Sequence, residues 1–258
     1  MKIRRPYTRL FTLWGRIDRQ QNEIIRRYVV GPSVLDVGCG YGSLCAFLSA
    51  AGMKVHGIDS DVESISVAKT LFPDLTVENT TLEKYSGSMK YNTIVLKDVF
   101  HHLCAESEIG IAVAHITGLL VDHGRLVVVD PNPNVILRLC RKIISHDDPE
   151  ARADSIRSIL DRHGFRTTLP AYFESIGLPL SGGYVGWRVI PNYPACNAFV
   201  TYVNLKVTSM INKLKLGRYL CWRYLIVADK LDDQTGSLQP HGVGDEVCRN
   251  EGGWEWLE

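Results

Sequence analysis

The 258-residue chain has no run of 18 apolar residues, so nothing in it reads as a transmembrane helix. An excess of one charge is missing too: 29 Lys+Arg stand against 28 Asp+Glu, a net charge of +1. A dedicated nucleic-acid binder carries a basic stripe, so nucleic acid is not an expected partner. The seven cysteines, at 39, 45, 104, 140, 196, 221 and 248, form no C-x-x-C pair and are odd in number. Two of them flank a glycine loop, and reduced thiols in a cytoplasmic protein are the expectation. The His/Cys set lacks the spacing of a structural zinc site, and no metal is expected. What remains is 45% hydrophobic and 22% charged, a globular composition long enough for one α/β domain with insertions.

The most informative stretch is Val34-Leu35-Asp36-Val37-Gly38-Cys39-Gly40-Tyr41-Gly42. An apolar strand runs into three alternating glycines, and Leu44–Leu48 reads as the first turns of a helix. Glycine permits positive φ and close approach of a ligand to bare backbone. The free N–H groups of the following helix point into the same space. A dinucleotide fingerprint, G-x-G-x-x-G, needs its third glycine at position 43, which is Ser43. Asp36 also adds a carboxylate that would repel a pyrophosphate and welcome a cation.

This G-x-G-x-G pattern resembles motif I of the class I S-adenosylmethionine-dependent methyltransferases, whose cofactor carries a sulfonium and an ammonium. The resemblance continues in order over roughly residues 30–135. Lys54–Asp59 is a second strand, and Asp59, 23 positions after Asp36, is placed to accept both hydroxyls of an adenosine ribose. Asp61 and Glu63 open the next helix as capping residues. After a third strand, Leu75–Glu78, the family commonly has an acid that holds the adenine; here Thr80 stands in its place, with Thr81 beside it. A fourth strand, Tyr91–Leu96, leads into Lys97-Asp98-Val99-Phe100-His101-His102-Leu103, and Gly124–Asp130 is the fifth. The resemblance implies S-adenosylmethionine bound by Asp36, Gly38, Gly40, Gly42, Asp59, Thr80, Thr81, Lys97 and Asp98. Methyl transfer to a hydroxyl, amine or activated carbon also needs a base, and histidine suits this near neutral pH. His101 and His102 are the candidates, with His101, nearer the strand end, preferred. Asp130 is a candidate to contact substrate or to cap its turn.

The expected architecture is a Rossmann-like, seven-stranded, mostly parallel α/β sheet with helices on both faces and an antiparallel last strand. Residues 1–30, with eight Lys/Arg and two acids, read as an N-terminal helical cap over the site; anionic lipid is an alternative contact for its basic face, a peripheral membrane role. Residues 31–230 form the methyltransferase domain. Helices are expected over 135–144 and 151–163, strand six over Phe165–Phe173 and strand seven over Leu220–Ala228. The intervening 175–219, with a helix over Ala195–Leu216, read as a lid. Residues 231–258 read as a mobile tail.

No D/N-P-P-Y/F run follows strand four, which argues against base or amide nitrogen targets, and no RNA-binding module is visible. A small, partly apolar acceptor is expected: a lipid, quinone precursor, sugar derivative or other metabolite, methylated on oxygen first and carbon second. Two alternatives stand beside this reading. A nicotinamide-dependent oxidoreductase is opposed by Ser43 and Asp36; a non-catalytic cofactor-binding scaffold or partner-activating subunit is left open by the missing acid after strand three.

Overall fold

The computed structural model describes residues 12–103, 106–135, 137–138, 150–181 and 190–231. Helix α1 (Leu13–Arg26) precedes β1 (Ser33–Val37), α2 (Ser43–Ala50), β2 (Lys54–Asp59), α3 (Val62–Leu71) and β3 (Thr76–Asn79). Then come β4 (Tyr91–Lys97), a 3₁₀ turn at Phe100–His102, α4 (Glu106–Leu119) and β5 (Leu120–Pro131). Helix α5 (Ala153–Arg162), β6 (Phe165–Thr167), β7 (Ala171–Phe173), α6 (Gly177–Ser181), α7 (Pro194–Lys213), α8 (Gly217–Leu220) and β8 (Arg223–Lys230) follow, and a further 3₁₀ turn, Leu82–Lys84, lies between β3 and β4.

One eight-stranded sheet runs β3-β2-β1-β4-β5-β8-β6, with β7 also on β8. The pairings among β1 to β5 are parallel, and those made by β8 are antiparallel. Central strands buried on both faces must be apolar throughout. Val127, Val128 and Val129 of β5 and Ile94, Val95 and Leu96 of β4 meet that requirement, each without measurable exposure. One core cluster lies on each face of the sheet, around Phe100 and Ile116 on one side and Leu48 and Val127 on the other.

The sheet has one strand more than expected. Phe165–Phe173 is not a single strand, because Pro170 lacks a ladder N–H and the register against β8 advances by one residue between β6 and β7. Thr168 patches the break: its N–H donates to Val227 O at 2.8 Å and its hydroxyl accepts from Val227 N–H at 3.2 Å. The last strand begins at Arg223 rather than Leu220, since Gly217–Leu220 forms a helical turn. The helix expected over 135–144 and the 231–258 tail lie largely outside the described residues.

Two consequences position the site. The carboxyl ends of β1, β2 and β4 share one edge of the sheet. Because β8 is antiparallel, with Arg223 opposite Pro131 and Tyr224 opposite Asp130, its amino-terminal Arg223 reaches that same edge. Helix α1 packs over this edge, Thr12 capping it through Gly15 N–H at 3.4 Å. No helix among the described residues is long and apolar enough to cross a membrane.

Candidate active site

A cavity of about 600 Å³ opens at this edge. Its floor is the turn after β1, where Gly38, Gly40 and Gly42 all have positive φ (74°, 51° and 76°), the region that favours glycine. Gly38 N–H donates to Ile58 O at 2.8 Å, pinning the loop to β2. A Cβ on Gly38 would sit 2.6 Å from a Val99 methyl, whereas one on Gly40 would meet nothing within 4 Å. Gly40 therefore presents bare backbone to open space. Gly42 does not line the cavity; it caps α2 and lies against Ala68 and Leu75.

Asp59, at the tip of β2, spans the loop. One oxygen accepts Gly40 N–H and the other Asp61 N–H, both at 2.8 Å. Each carboxylate oxygen retains acceptor capacity for a ligand hydroxyl. Asp61 itself caps α3 through Glu63 and Ser64 N–H, as its position predicts. Thr80 and Thr81 line the same side, Thr80 N–H donating to Asp59 O at 3.0 Å. Asp36 lies on the floor, buried, with the Cys45 thiol 3.2 Å away. Burial pushes its carboxyl up to about 7, against the opposing pull of the Cys45 contact and Lys97.

The other end of the cavity is a network of side-chain charges. Lys97 Nζ meets Asp18 Oδ1 of α1 at 2.5 Å and Asn22 Oδ1 at 3.2 Å, and Asp18 also accepts from the Ser43 hydroxyl. Burial raises Asp18, but the Lys97 charge and hydrogen bonds outweigh it and hold the carboxyl below the ordinary range. Asp98 adopts φ 61°, strained for a non-glycine residue, and is held by an ion pair with Arg223. The Arg223 charge likewise overcomes burial and keeps Asp98 low. Arg223 Nε lies 3.1 Å from Glu174 Oε2, which also accepts from Gln21 Nε2 at 2.7 Å. Glu174 is buried and its carboxyl is raised by that burial in spite of Arg223.

The two candidate bases differ in burial. His101, preferred from its position, is buried, does not line the cavity, and contacts Asp130 Oδ1 through Nδ1 at 3.2 Å. His102 is exposed and lines the cavity. The two rings lie together, tilted by 38° with centroids 4.0 Å apart, and only His102 reaches the cavity wall while His101 sits behind it against Asp130. Asp130 is fully buried and raised by burial, one oxygen lacking a hydrogen-bond partner among the described residues; it braces His101 and does not line the cavity.

Sequence reasoning brought Asp36, Gly38, Gly40, Asp59, Thr80, Thr81, Lys97, Asp98 and His102 to this lining; it expected the helix of Trp14 and Ile17 over the site but singled out neither Asp18 nor Gln21 on it, and it missed Arg223. Arg223 did leave a signal: it is the one charge in Leu220–Ala228. Glu174 lies behind Arg223 and left none.

A family model for a methyltransferase domain matches residues 7–171, most of the chain. The chain belongs to the methyltransferase family. The methyl donor of this family is S-adenosylmethionine. Among relatives, a ubiquinone biosynthesis O-methyltransferase from Bradyrhizobium diazoefficiens is 30% identical over 109 residues, 40% of this chain and 42% of that one. An uncharacterized methyltransferase from Bacillus pumilus is 32% identical over 123 residues, 44% of this chain and 57% of that one. The matches thus span about half the length of these curated relatives. In fold, the chain is similar to a SAM-dependent methyltransferase from Archaeoglobus fulgidus (17% identity, TM-score 0.61, 87% of this chain and 98% of that one). It is also similar to magnesium protoporphyrin IX methyltransferase from Synechocystis with bound SAH (18%, TM-score 0.56, 86% and 84%). The residues of the cavity fit a cationic nucleoside cofactor: Gly40 leaves its backbone open, and Asp18, Asp36, Asp59 and Asp98 outnumber Lys97 and Arg223 along the lining.

Proposed function

We propose that this methyltransferase methylates an oxygen of a small, partly apolar acceptor, with His102 as the base. The observation that carries the reading is the cavity itself: an open glycine backbone and Asp59 at one end, His102 at the other. Bound S-adenosylmethionine supplies an electrophilic methyl group on a sulfonium. Asp59 and the Gly40 backbone would hold its nucleoside part, Thr80 and Thr81 its base, and Asp36 its positive charge. Asp98, fixed by Arg223, and Lys97, fixed by Asp18, shape the wall beside it.

His102 takes the proton of the acceptor hydroxyl at a ring nitrogen, a role worth about 10²–10⁴ in rate. Trp14 and Ile17 of α1 line the cavity with apolar surface. Alignment of the reacting groups is the larger contribution in a displacement of this kind. The O-methyltransferase relatives support oxygen as the target atom, and the apolar lining by Val37, Ile58, Phe72 and Leu103 supports a partly apolar acceptor. Residues 175–219, whose α6 and α7 pack on α1, serve as the element that sets acceptor choice in this reading.

A screen of hydroxylated aromatic and lipid-like acceptors against labelled S-adenosylmethionine tests it, with His102→Asn and His101→Asn alongside. The His102 variant should lose about 10²-fold or more in kcat at unchanged cofactor affinity. Turnover that survives in His102→Asn and disappears in a folded His101→Asn would reverse the assignment. Cofactor binding without turnover of any acceptor would favour a scaffold.

A further inference from the structure

Helix α7 is built inside out. Its buried positions are Asn197, Val200, Asn204, Thr208 and Ile211, three of the five polar. That polarity is matched internally: Asn204 Oδ1 accepts the N–H groups of Ser175, Ile176 and Gly177 at 3.1, 3.0 and 2.9 Å. Thr208 donates to the Ser175 hydroxyl at 3.0 Å. The opposite face carries Phe199, Tyr202, Lys206, Met210, Lys213 and Leu214, positions three, four or seven apart that share one side of a helix. Phe199 is 67% exposed and Leu214 61%. The surface continues through exposed Lys215, Leu216 and Tyr219 into α8, and Tyr193 flanks it at the start of α7. A soluble helix ordinarily turns its apolar stripe to the core. Scattered exposed apolar residues need no explanation, but a contiguous patch marks an interaction site.

Charge identifies the partner. Positions 190–221 contain Lys206, Lys213, Lys215 and Arg218 and not a single Asp or Glu, in a chain whose net charge is +1. Arg218 is answered by Asp154 of α5 at 2.9 Å, leaving three lysines as the patch's own charge. We propose that this face rests on an anionic lipid surface. Tyr and Phe suit the interfacial layer, and lysines extend their ammonium groups toward lipid phosphates while their stems lie on the apolar face. Lys206 already lies over the Tyr202 ring, its ammonium 5.5 Å from the centroid. A second copy of the chain fits poorly: a twofold contact through this face would bring its lysines onto a copy of the same patch, whose residues 190–221 offer no acid to match them. The opposite side of α7 packs on α1, which lines the cavity, so the surface lies one helix away from the candidate site.

Flotation of the full chain with vesicles tests the proposal. One set is phosphatidylcholine alone and the other contains about one-third phosphatidylglycerol. Wild type should float with the anionic vesicles and not the neutral ones, less so as salt rises. Lys206→Glu with Lys213→Glu should weaken binding by about tenfold or more. Phe199→Ser with Tyr202→Ser should also release the protein at unchanged melting temperature, since both sites are exposed. Equal behaviour on both vesicle types, or unchanged flotation in both double variants, overturns the proposal. So does a dimer by light scattering that Phe199→Ser with Tyr202→Ser converts to monomer, because the face would then belong to a second copy.

Discussion

The end of the cavity under β1 and β2 is built mainly from main chain, whereas the end under β4, β5 and β8 is built from charged side chains. At the first, three glycines at positive φ and the N–H groups of Gly40 and Asp61 fix the geometry, and one carboxylate, Asp59, ties them together. At the second, Asp18, Lys97, Asp98, Glu174 and Arg223 come from α1, β4 and β8 and from the turns that adjoin β4 and β7. A main-chain site is set by local conformation and tolerates little change of residue type. A charge network is set by pairing, and removing one partner strands another in a poorly solvated place. The two ends should therefore fail in different ways.

The largest effect is expected at the charge network. Arg223→Ala leaves Glu174 and Asp98 without their shared cation, and the loss should be about 3–5 kcal/mol in denaturant unfolding. A loss under 1 kcal/mol would mean the network does not hold this end together. Next comes Asp36, whose carboxyl burial raises to about 7. Between the ordinary aspartate value, about 3.9, and 7 the unfolded chain is ionised here while the folded one keeps its proton. Wild type therefore loses stability at this residue as pH rises through that window, and the term levels off above it. Asp36→Asn lacks the term, so its stability relative to wild type should climb from pH 4 to 7 by up to roughly 4 kcal/mol. A difference that stays flat with pH would contradict the assignment.

Asp18 behaves in the opposite sense. Its lowered pKa gives stability that is present above the ordinary aspartate range and is lost as pH falls below it. Asp18→Asn should cost about 2 kcal/mol near neutrality, for a buried hydrogen-bonded charge pair, and the cost should shrink below about pH 4. The smallest stability change belongs to the main-chain end. Gly40→Ala meets no neighbour and costs only its left-handed backbone, about 1–2 kcal/mol. Its effect should appear instead as weaker cofactor affinity, measured beside the unfolding curve.

The same contrast explains what was legible in the sequence. Asp36, the glycine loop and Asp59 lie within 24 consecutive positions and act through conformations that glycine and strand-end acids announce. Asp18 and Lys97 are 79 positions apart, and Asp98 and Arg223 are 125 apart. No local pattern joins such partners: the packing of α1 over the sheet edge brings Asp18 to Lys97, and antiparallel β8 brings Arg223 to Asp98. The histidine pair shows a subtler gap. Both residues are visible as candidates, but which of two neighbours lines the cavity depends on the contact of His101 with buried Asp130, 29 positions away, which leaves His102 on the wall. The break in strand six is hidden for a different reason: Phe165 and Phe173 are an even number of positions apart and read as one face of one strand, but the one-residue register advance between Thr167 and Ala171 sends them to opposite faces of the sheet.

Calorimetric titration of the purified chain with S-adenosylmethionine, beside Asp59→Ala, tests the central claim most directly. The account predicts micromolar binding to wild type and a loss of about tenfold or more in the variant, at the scale of a charge-assisted hydrogen bond. Proton release on binding is also predicted near pH 6–7, as a cationic ligand draws Asp36 back toward its ionised form. No binding to folded wild type, or equal binding to both proteins, would contradict the account.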